Sequence, residues 1–195
     1  MAGALGDNAG GSLERDGMRE WNVLATSLEG RRPALLAALR PLGAFWGAGY
    51  RNVLVGRVDD RDGFLEVVRE RLPVDPLLEG SLTKIVPVER TTQFEAAGLS
   101  ETVVRALASS TARLAGKTFY VRLERRGFKG VVHTPTIERV VGEALLDAAV
   151  AHGAAARVSF QDPDVIVAVE TTGSTVGVGL LTRELRARFP FVRVP

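Results

Sequence analysis

The sequence predicts a mixed α/β protein built from two lobes. Some segments alternate apolar and polar residues, as strands do. Between them lie segments whose apolar residues recur every three or four positions, as on one face of a helix. The 195 residues fit one or two compact domains. A content of 46% hydrophobic and 25% charged residues is enough to bury a core, so a folded globular protein is expected.

The first lobe is expected over residues 18–95. Pro33 stands where the first turn of a helix accepts proline. The expected elements are a strand over 21–27, a helix that begins near Pro33, a strand over 52–58, a helix over 61–72 and a strand over 83–89. This order predicts a ferredoxin-like lobe, in which helices cover one face of a sheet.

A connecting segment is expected over residues 96–116, and within it a helix is expected from Ser100, its N-cap, through Leu114. The second lobe is expected over residues 117–195. Its elements are a strand over 118–124, a basic turn over 125–130, a helix with Thr134 as its N-cap and Pro135 as its first residue, and strands over 165–170 and 174–182. Residues 125–130 are called the basic turn below.

The composition excludes several kinds of chemistry. The chain has no cysteine, so it forms no disulfide or thiolate zinc site, and a cytoplasmic location is expected. His133 and His152 are the only histidines, which leaves little for a metal or catalytic site, and no metal or cofactor is expected. Residues 1–17 are expected to form a disordered leader, and the sequence predicts neither a signal peptide nor a membrane span.

The basic residues are clustered, although the formal net charge is only +2. Five bases accompany one acid over residues 117–129, and four accompany one acid over residues 183–193. The planar guanidinium group of arginine donates two parallel hydrogen bonds to phosphate, so these clusters predict a nucleic acid partner. A solvated surface is the alternative explanation.

The basic turn combines charge, glycine and an aromatic ring. Phe128 is expected either to stack on an unpaired base, with Tyr120 as a second stacking candidate, or to pack into the core. His133, just before the next helix, is a further candidate for phosphate contact or base stacking. No catalytic residue is assigned, and the candidate RNA-binding residues are Arg122, Arg125, Arg126, Phe128, Lys129, His133, Arg139, Arg183, Arg186 and Arg188.

Two short motifs favour structural roles over catalytic ones. The Gly-rich segment 171–180 lacks the spacing of a phosphate-binding loop. Gly173 is therefore expected to form a tight turn, and Gly177 and Gly179 to let another backbone approach. The Asp-Pro-Asp sequence at residues 162–164 is typical of a turn before a strand rather than of a carboxylate pair.

Three segments of the second lobe resemble a THUMP domain, an RNA-binding module of tRNA-modifying enzymes. They are YVRLERRGFKG at 120–130, TPTIERVVGEALLDA at 134–148 and VSFQDPDVIVAVETTGSTVGVGLLTREL at 158–185. Their order and spacing match the family, and the resemblance extends over roughly residues 85–195.

The resemblance implies that the THUMP lobe and a preceding ferredoxin-like lobe grip the acceptor stem and 3′ CCA end of a tRNA. Family members usually continue into a catalytic domain, for which no room is expected after Pro195. The sequence is similar to stand-alone THUMP proteins that assist a tRNA cytidine acetyltransferase. It thus implies a non-catalytic adaptor that binds tRNA and presents it to a separate modification enzyme, with the acetyltransferase named by analogy.

Two other functions stay open. His133 with a carboxylate such as Glu138 would suit RNA cleavage or proton transfer, as in a small RNA-processing enzyme. Alternatively, the edge strands would pair with a protein partner, and the arginines would then be rim charges of an interaction module.

Overall fold

A four-stranded antiparallel sheet forms the first lobe. The computed structural model describes residues 20–195, so the leader expected over residues 1–17 lies outside the described residues. The elements of this lobe are β1 (Val23–Ser27), α1 (Arg32–Leu39), β2 (Ala44–Gly47), β3 (Val53–Arg57), α2 (Arg61–Arg71), α3 (Pro76–Glu79) and β4 (Leu82–Pro87). The strand order is β2-β3-β1-β4. This is the ferredoxin-like arrangement, so the predicted class is confirmed.

The local sequence explains several elements of this lobe. Pro33 occupies the first turn of α1, where its missing N–H leaves no hydrogen bond unmade. Asp60 caps α2 by accepting a hydrogen bond of 3.1 Å from the N–H of Asp62. The sequence predicted no strand at β2, because four residues are too few to show a clear alternation.

A five-stranded mixed sheet forms the second lobe. Its elements are β5 (Arg90–Gln93), α4 (Leu99–Leu107), β6 (Thr118–Glu124), α5 (Thr134–Ala151), β7 (Arg157–Val158), β8 (Val165–Thr172), β9 (Thr175–Thr182) and α6 (Arg183–Arg188). The strand order is β5-β9-β8-β6-β7, with β6 parallel to β7 and β8 and the other pairs antiparallel. Helices α4 and α5 pack on one face, over the buried side chains of Phe119, Val121 and Leu123. The predicted α/β class is confirmed here as well.

Two helix starts differ slightly from the prediction. Gly98, not Ser100, is the N-cap of α4, because a 3₁₀ turn runs straight into the helix. The α-helix ends at Leu107, and a 3₁₀ helix follows it over Ala108–Leu114. His133, rather than Thr134, is the N-cap of α5. Within residues 20–195, no helix combines the length and the apolar character needed to cross a bilayer.

The face of the second sheet that carries no helices packs against the first lobe. An added Cβ at Gly179 would lie 2.5 Å from the carbonyl oxygen of Pro87, which confirms that this glycine admits a neighbouring backbone. At Gly177 the neighbour is instead a side chain, since an added Cβ would lie 2.4 Å from the Trp21 ring. The two lobes therefore share a close interface.

The chain crosses from one sheet to the other twice, once before the second lobe in the sequence and once after it. Strand β5 follows β4 after two residues, but it pairs with β9 of the second sheet. The tail crosses back: Phe189, Phe191 and Val192 are buried in the first-lobe core, and the N–H of Ile85 donates a hydrogen bond of 2.8 Å to the carbonyl oxygen of Phe191. The domain boundaries given by the sequence analysis stay a prediction.

Candidate nucleic-acid interface

The structure places most of the predicted RNA-binding residues at two opposite ends of the second sheet. After β6, the N–H of Arg126 donates a hydrogen bond of 2.8 Å to Oγ1 of Thr171. At the other end of β8, the N–H of Arg183 donates one of 2.8 Å to the carbonyl oxygen of Asp164. Seven residues of extended chain separate these ends, a distance of about 23 Å. We call them the turn end and the α6 end.

At the turn end, the basic turn adopts left-handed backbone conformations. The angle φ is +93° at Gly127, +51° at Phe128 and +80° at Gly130. An added Cβ at Gly127 would lie 2.8 Å from the hydroxyl oxygen of Tyr50, in the β2–β3 turn of the first lobe. The same hydroxyl accepts a hydrogen bond of 3.0 Å from the N–H of Gly173. The basic turn therefore lies at the junction of the two lobes.

Phe128 attaches the basic turn to the core of the second lobe. Its half-buried ring lies 5.3 Å from the ring of Phe94, and the planes are inclined at 53°. This placement corresponds to the second of the two expectations for Phe128. Tyr120 packs against the first-lobe core, with its ring 5.5 Å from that of Phe160.

Arg126 belongs to a cluster of four charged side chains between the lobes, of which three are largely buried and Glu124 is half buried. Its guanidinium group pairs with Glu124 and Glu170, and Lys84 of β4 reaches the same two carboxylates. The side chains of Lys84 and Arg126 are 9% exposed, and that of Glu170 is 1% exposed. Burial raises the pKa of Glu170. We call these four residues the interlobe ion cluster, and within it the charge of Arg126 is already paired.

Three other basic side chains near the turn end form no ion pair within the described residues. Lys129 is exposed and Arg122 is half buried, and neither forms an ion pair in the described part of the chain. Arg125 donates to the carbonyl oxygen of Gly127. The Nε of Arg125 is buried and has no hydrogen-bond partner within residues 20–195. These side chains carry most of the charge that the turn end offers to a ligand.

His133 and Glu138 are bound to different partners. Nδ1 of His133 lies 2.8 Å from Oγ1 of Thr136. A carboxylate oxygen of Glu138 accepts a hydrogen bond of 2.8 Å from the N–H of Leu123. No hydrogen bond joins His133 to Glu138 in the described chain, so the structure does not bring them together as an acid–base pair.

A groove of about 430 Å³ opens along the free edge of β6, where β7 pairs only with Thr118 and Phe119. Its walls include Phe160, which is 75% exposed, and the α5 residues Arg139 and Glu143, which form an ion pair of 2.9 Å. Arg139 therefore lines this groove. Phe160 was not among the residues predicted from the sequence, because a single ring in a polar segment gives no periodic signal.

At the α6 end, the arginines are bound by acceptors of the protein itself. Arg183 pairs with Asp162 and Asp164, Arg186 donates to the carbonyl oxygens of Leu181 and Pro163, and Arg188 pairs with Glu66 of α2. These contacts attach α6 to the sheet and to the first lobe, so much of the positive charge here is compensated.

The Asp-Pro-Asp sequence lies in a bend just before β8, and its Asp164 is bound within the protein. Oδ2 of Asp164 accepts hydrogen bonds of 2.8 Å from both the backbone N–H and the hydroxyl of Thr118. These two bonds, led by the one from the backbone, lower the pKa of Asp164. Among residues 20–195, no three His, Asp or Glu side chains are placed to hold a metal ion.

The segment that contains the turn end matches a known family. Residues 99–181 match the THUMP domain. The chain contains a THUMP domain. The match runs from the start of α4 almost to the end of β9, so the THUMP domain includes the basic turn, whereas α6 follows it.

Several solved structures are similar in fold to the THUMP domain and the first lobe together. TrmN of Thermus thermophilus is 23% identical with a TM-score of 0.59, over 88% of this chain and 48% of its own. A 4-thiouridine synthetase, solved as an RNA complex with bound ATP, is 13% identical with a TM-score of 0.55, over 83% and 41%. PH1313 of Pyrococcus horikoshii Ot3 is 12% identical with a TM-score of 0.55, over 83% and 54%.

At these identities the likeness is one of fold. The chain spans about half the length of these structures or less. No curated protein matches the sequence significantly.

Proposed function

We propose that this chain binds tRNA with its two lobes and presents it, in the cytoplasm, to a separate modification enzyme. The observation that carries the proposal is the position of the basic turn: it belongs to the THUMP domain and touches the first lobe through Tyr50. RNA as the ligand is supported by the 4-thiouridine synthetase of similar fold, which was solved with RNA.

The phosphate contacts are assigned to the turn end. Arg122, Arg125 and Lys129 carry positive charge that ion pairs do not use. His133 is exposed at the N-cap of α5, where backbone N–H groups attract phosphate. Arg139 lies further along α5, and its exposed ion pair is weak enough to be exchanged for a phosphate.

The remaining candidates are assigned to holding the site in place. Arg126 and Phe128 fix the basic turn to the ion cluster and to the core. Arg183, Arg186 and Arg188 hold α6. An arginine already paired with a carboxylate must give up that pair to bind phosphate, so it contributes less to RNA affinity.

The adaptor role is favoured over RNA cleavage by the separate engagement of His133 and Glu138. A general base must reach the proton that it removes within hydrogen-bond distance. The choice of a cytidine acetyltransferase as the partner rests on the resemblance to stand-alone THUMP proteins.

A titration of the purified protein with tRNA tests the proposed function. Intact tRNA and the same tRNA without its 3′ CCA end are compared at salt concentrations of about 50 and 200 mM. We expect binding that weakens with salt and again on removal of CCA. Equal affinity for a DNA duplex of the same length would contradict tRNA recognition. Cleavage of the tRNA that disappears in His133→Ala would establish the enzyme instead.

The partner is tested in a second assay. A cytidine acetyltransferase acts on limiting tRNA with and without the protein, and the Arg125→Gln/Lys129→Gln variant serves as the control. We expect the protein to raise the initial rate of acetylcytidine formation and the variant to raise it less. A protein that binds tRNA tightly without changing this rate would serve a different modification enzyme.

A further inference from the structure

We infer that Lys84 and Glu170 are positioning residues for RNA binding, although both lie too deep to touch RNA. In this inference the interlobe ion cluster holds the basic turn in one orientation relative to the first lobe. The inference rests on the proposed function, because the turn end is the surface that it orients.

The interlobe ion cluster joins three strands and the basic turn. Lys84 projects from β4 of the first lobe, whereas Glu124 and Glu170 belong to β6 and β8 of the second. Arg126 connects both carboxylates and is itself part of the basic turn. A shift of the first lobe therefore changes the surroundings of Glu124 and Glu170, and through them the position of Arg126.

The backbone of Arg126 is fixed as firmly as its side chain. The Oγ1 of Thr171, a fully buried residue next to Glu170, accepts a hydrogen bond of 2.8 Å from the N–H of Arg126 and donates one of 3.1 Å to its carbonyl oxygen. Two residues further on, the N–H of Gly173 donates to Tyr50 of the first lobe. The strand that carries Glu170 thus fixes the turn by side-chain and backbone contacts together.

The cluster is poorly suited to adding stability. One carboxylate oxygen of Glu170 has no hydrogen-bond partner within residues 20–195, and Nζ of Lys84 lies 3.6 Å from it. Taking charges out of water offsets most of the gain from pairing them, and replacing a buried ion pair with groups of similar volume is often neutral. The contribution of the cluster is then to the relative placement of the lobes rather than to the free energy of unfolding.

The double variant Lys84→Met/Glu170→Gln tests this inference. It removes one positive and one negative charge at nearly constant volume. We expect a melting temperature close to that of the parent, a Kd for tRNA raised about tenfold, and an unchanged salt dependence, because no phosphate contact is removed. A loss of salt dependence would show that these charges act on RNA directly, which overturns the positioning role.

A matched control and a conservative variant accompany the double variant. Arg113→Met/Glu89→Gln makes the same change in charge at a more exposed pair of 2.6 Å, and its Kd is expected to equal that of the parent. Lys84→Arg keeps the positive charge and is expected to keep the affinity within about twofold. An equal loss of affinity in the control would show that the loss has nothing to do with the cluster.

A distance measurement without RNA separates this inference from the proposed function. Because the chain has no cysteine, spin labels can be attached at Val74→Cys in the first lobe and Val150→Cys in the second, both at exposed positions. Double electron–electron resonance measures the distance between the two labels. We expect a narrow distance distribution in the parent and a broader or shifted one with Lys84→Met/Glu170→Gln. An unchanged distribution, or a variant that unfolds, would overturn the inference even if the parent binds tRNA. If the parent protein binds no tRNA, the proposed function is refuted. The distance measurement still tests whether the interlobe ion cluster fixes the two lobes relative to each other.

Discussion

The two ends of the second sheet carry similar sets of basic residues, but they use them differently. At the α6 end, Arg183 and Arg188 pair with acids of the protein. At the turn end, Lys129 is exposed and unpaired within the described chain, and the neighbouring backbone is held in left-handed conformations. A cluster of arginines therefore indicates a binding surface only where the fold leaves its charges uncompensated.

A second contrast concerns how each end is closed. At each end, one threonine hydroxyl bonds to the backbone across the β6–β8 pair: Thr171 to Arg126 at the turn end, and Thr118 to Asp164 at the α6 end. In both closures the hydroxyl accepts a hydrogen bond from a backbone N–H, but Thr171 donates to the carbonyl oxygen of Arg126, whereas Thr118 donates to the carboxylate of Asp164. They differ in what they hold, which is the basic turn in one case and the Asp-Pro-Asp segment in the other.

The largest expected effect comes from removing two charges at each end. Arg125→Gln/Lys129→Gln should weaken tRNA binding at least about tenfold and reduce the slope of log K against log salt by about two. Arg183→Gln/Arg188→Gln removes two charges at the α6 end and should change the affinity by less than about twofold. Titrations at several salt concentrations measure both. A greater loss at the α6 end would show that RNA lies there instead.

The next effect comes from the two threonine closures. Thr171→Val removes the hydrogen-bond partner of the N–H and of the carbonyl group of Arg126, which should lower the free energy of unfolding by about 1–3 kcal/mol and reduce tRNA affinity as the turn loosens. Thr118→Val should lower stability by a similar amount and leave tRNA affinity unchanged, since it acts at the α6 end. Urea denaturation and the tRNA titration give the two readouts. The contrast fails if both variants lose affinity in proportion to their stability.

A smaller effect is expected within the basic turn. Gly127→Ala and Gly130→Ala both place a side chain at positive φ, which should cost about 1–2 kcal/mol of unfolding free energy. Only Gly127→Ala also meets the hydroxyl of Tyr50, so it should cost more and disturb the contact with the first lobe. Adding Tyr50→Phe should recover part of that excess in Gly127→Ala and none of the cost of Gly130→Ala. Thermal unfolding of the parent, of the three single variants and of the two double variants tests these double-mutant cycles.

The smallest effects appear in the pH dependence of stability. The pKa of Asp164 is lowered, so this carboxylate stabilises the fold at pH values above the usual pKa range of aspartate. That stabilisation is lost as the pH falls through the lowered pKa. The pKa of Glu170 is raised by burial, so the sign is reversed, and stability is lost as the pH rises through the raised pKa. Asp164→Asn should reduce the loss of unfolding free energy at acid pH. Glu170→Gln should reduce the loss of unfolding free energy as the pH rises through the raised pKa of Glu170. Urea denaturation from about pH 3 to 8 measures both slopes.

The sequence predicted the elements whose information is local. Alternation over residues 118–124 predicted β6, and the structure buries every second side chain there. Pro33 and Pro135 each mark a first helical turn, because proline lacks the N–H that would go unpaired at that position in any case. Strand β5 was missed, since its sequence Arg-Thr-Thr-Gln has no apolar alternation and it is a strand only by pairing with β9.

The candidate site was predicted less completely, because charge pairing depends on contacts that are distant in sequence. Arg126 meets Glu170 across 44 residues, and Lys84 meets Glu124 across 40. No local pattern distinguishes Arg126 from its neighbour Arg125. Phe128 showed the same ambiguity, which only the position of Phe94 resolved.

The crossing of the chain between the sheets bears on the order in which the protein is made. The first lobe needs Phe189, Phe191 and Val192 to complete its core, yet these residues follow the whole THUMP domain in the sequence. During synthesis the ribosome delivers the strands of the first sheet early and the side chains that cover them late. The nascent first lobe therefore keeps apolar surface exposed, the state in which chains recruit chaperones or aggregate, until residues 189–192 have left the ribosome.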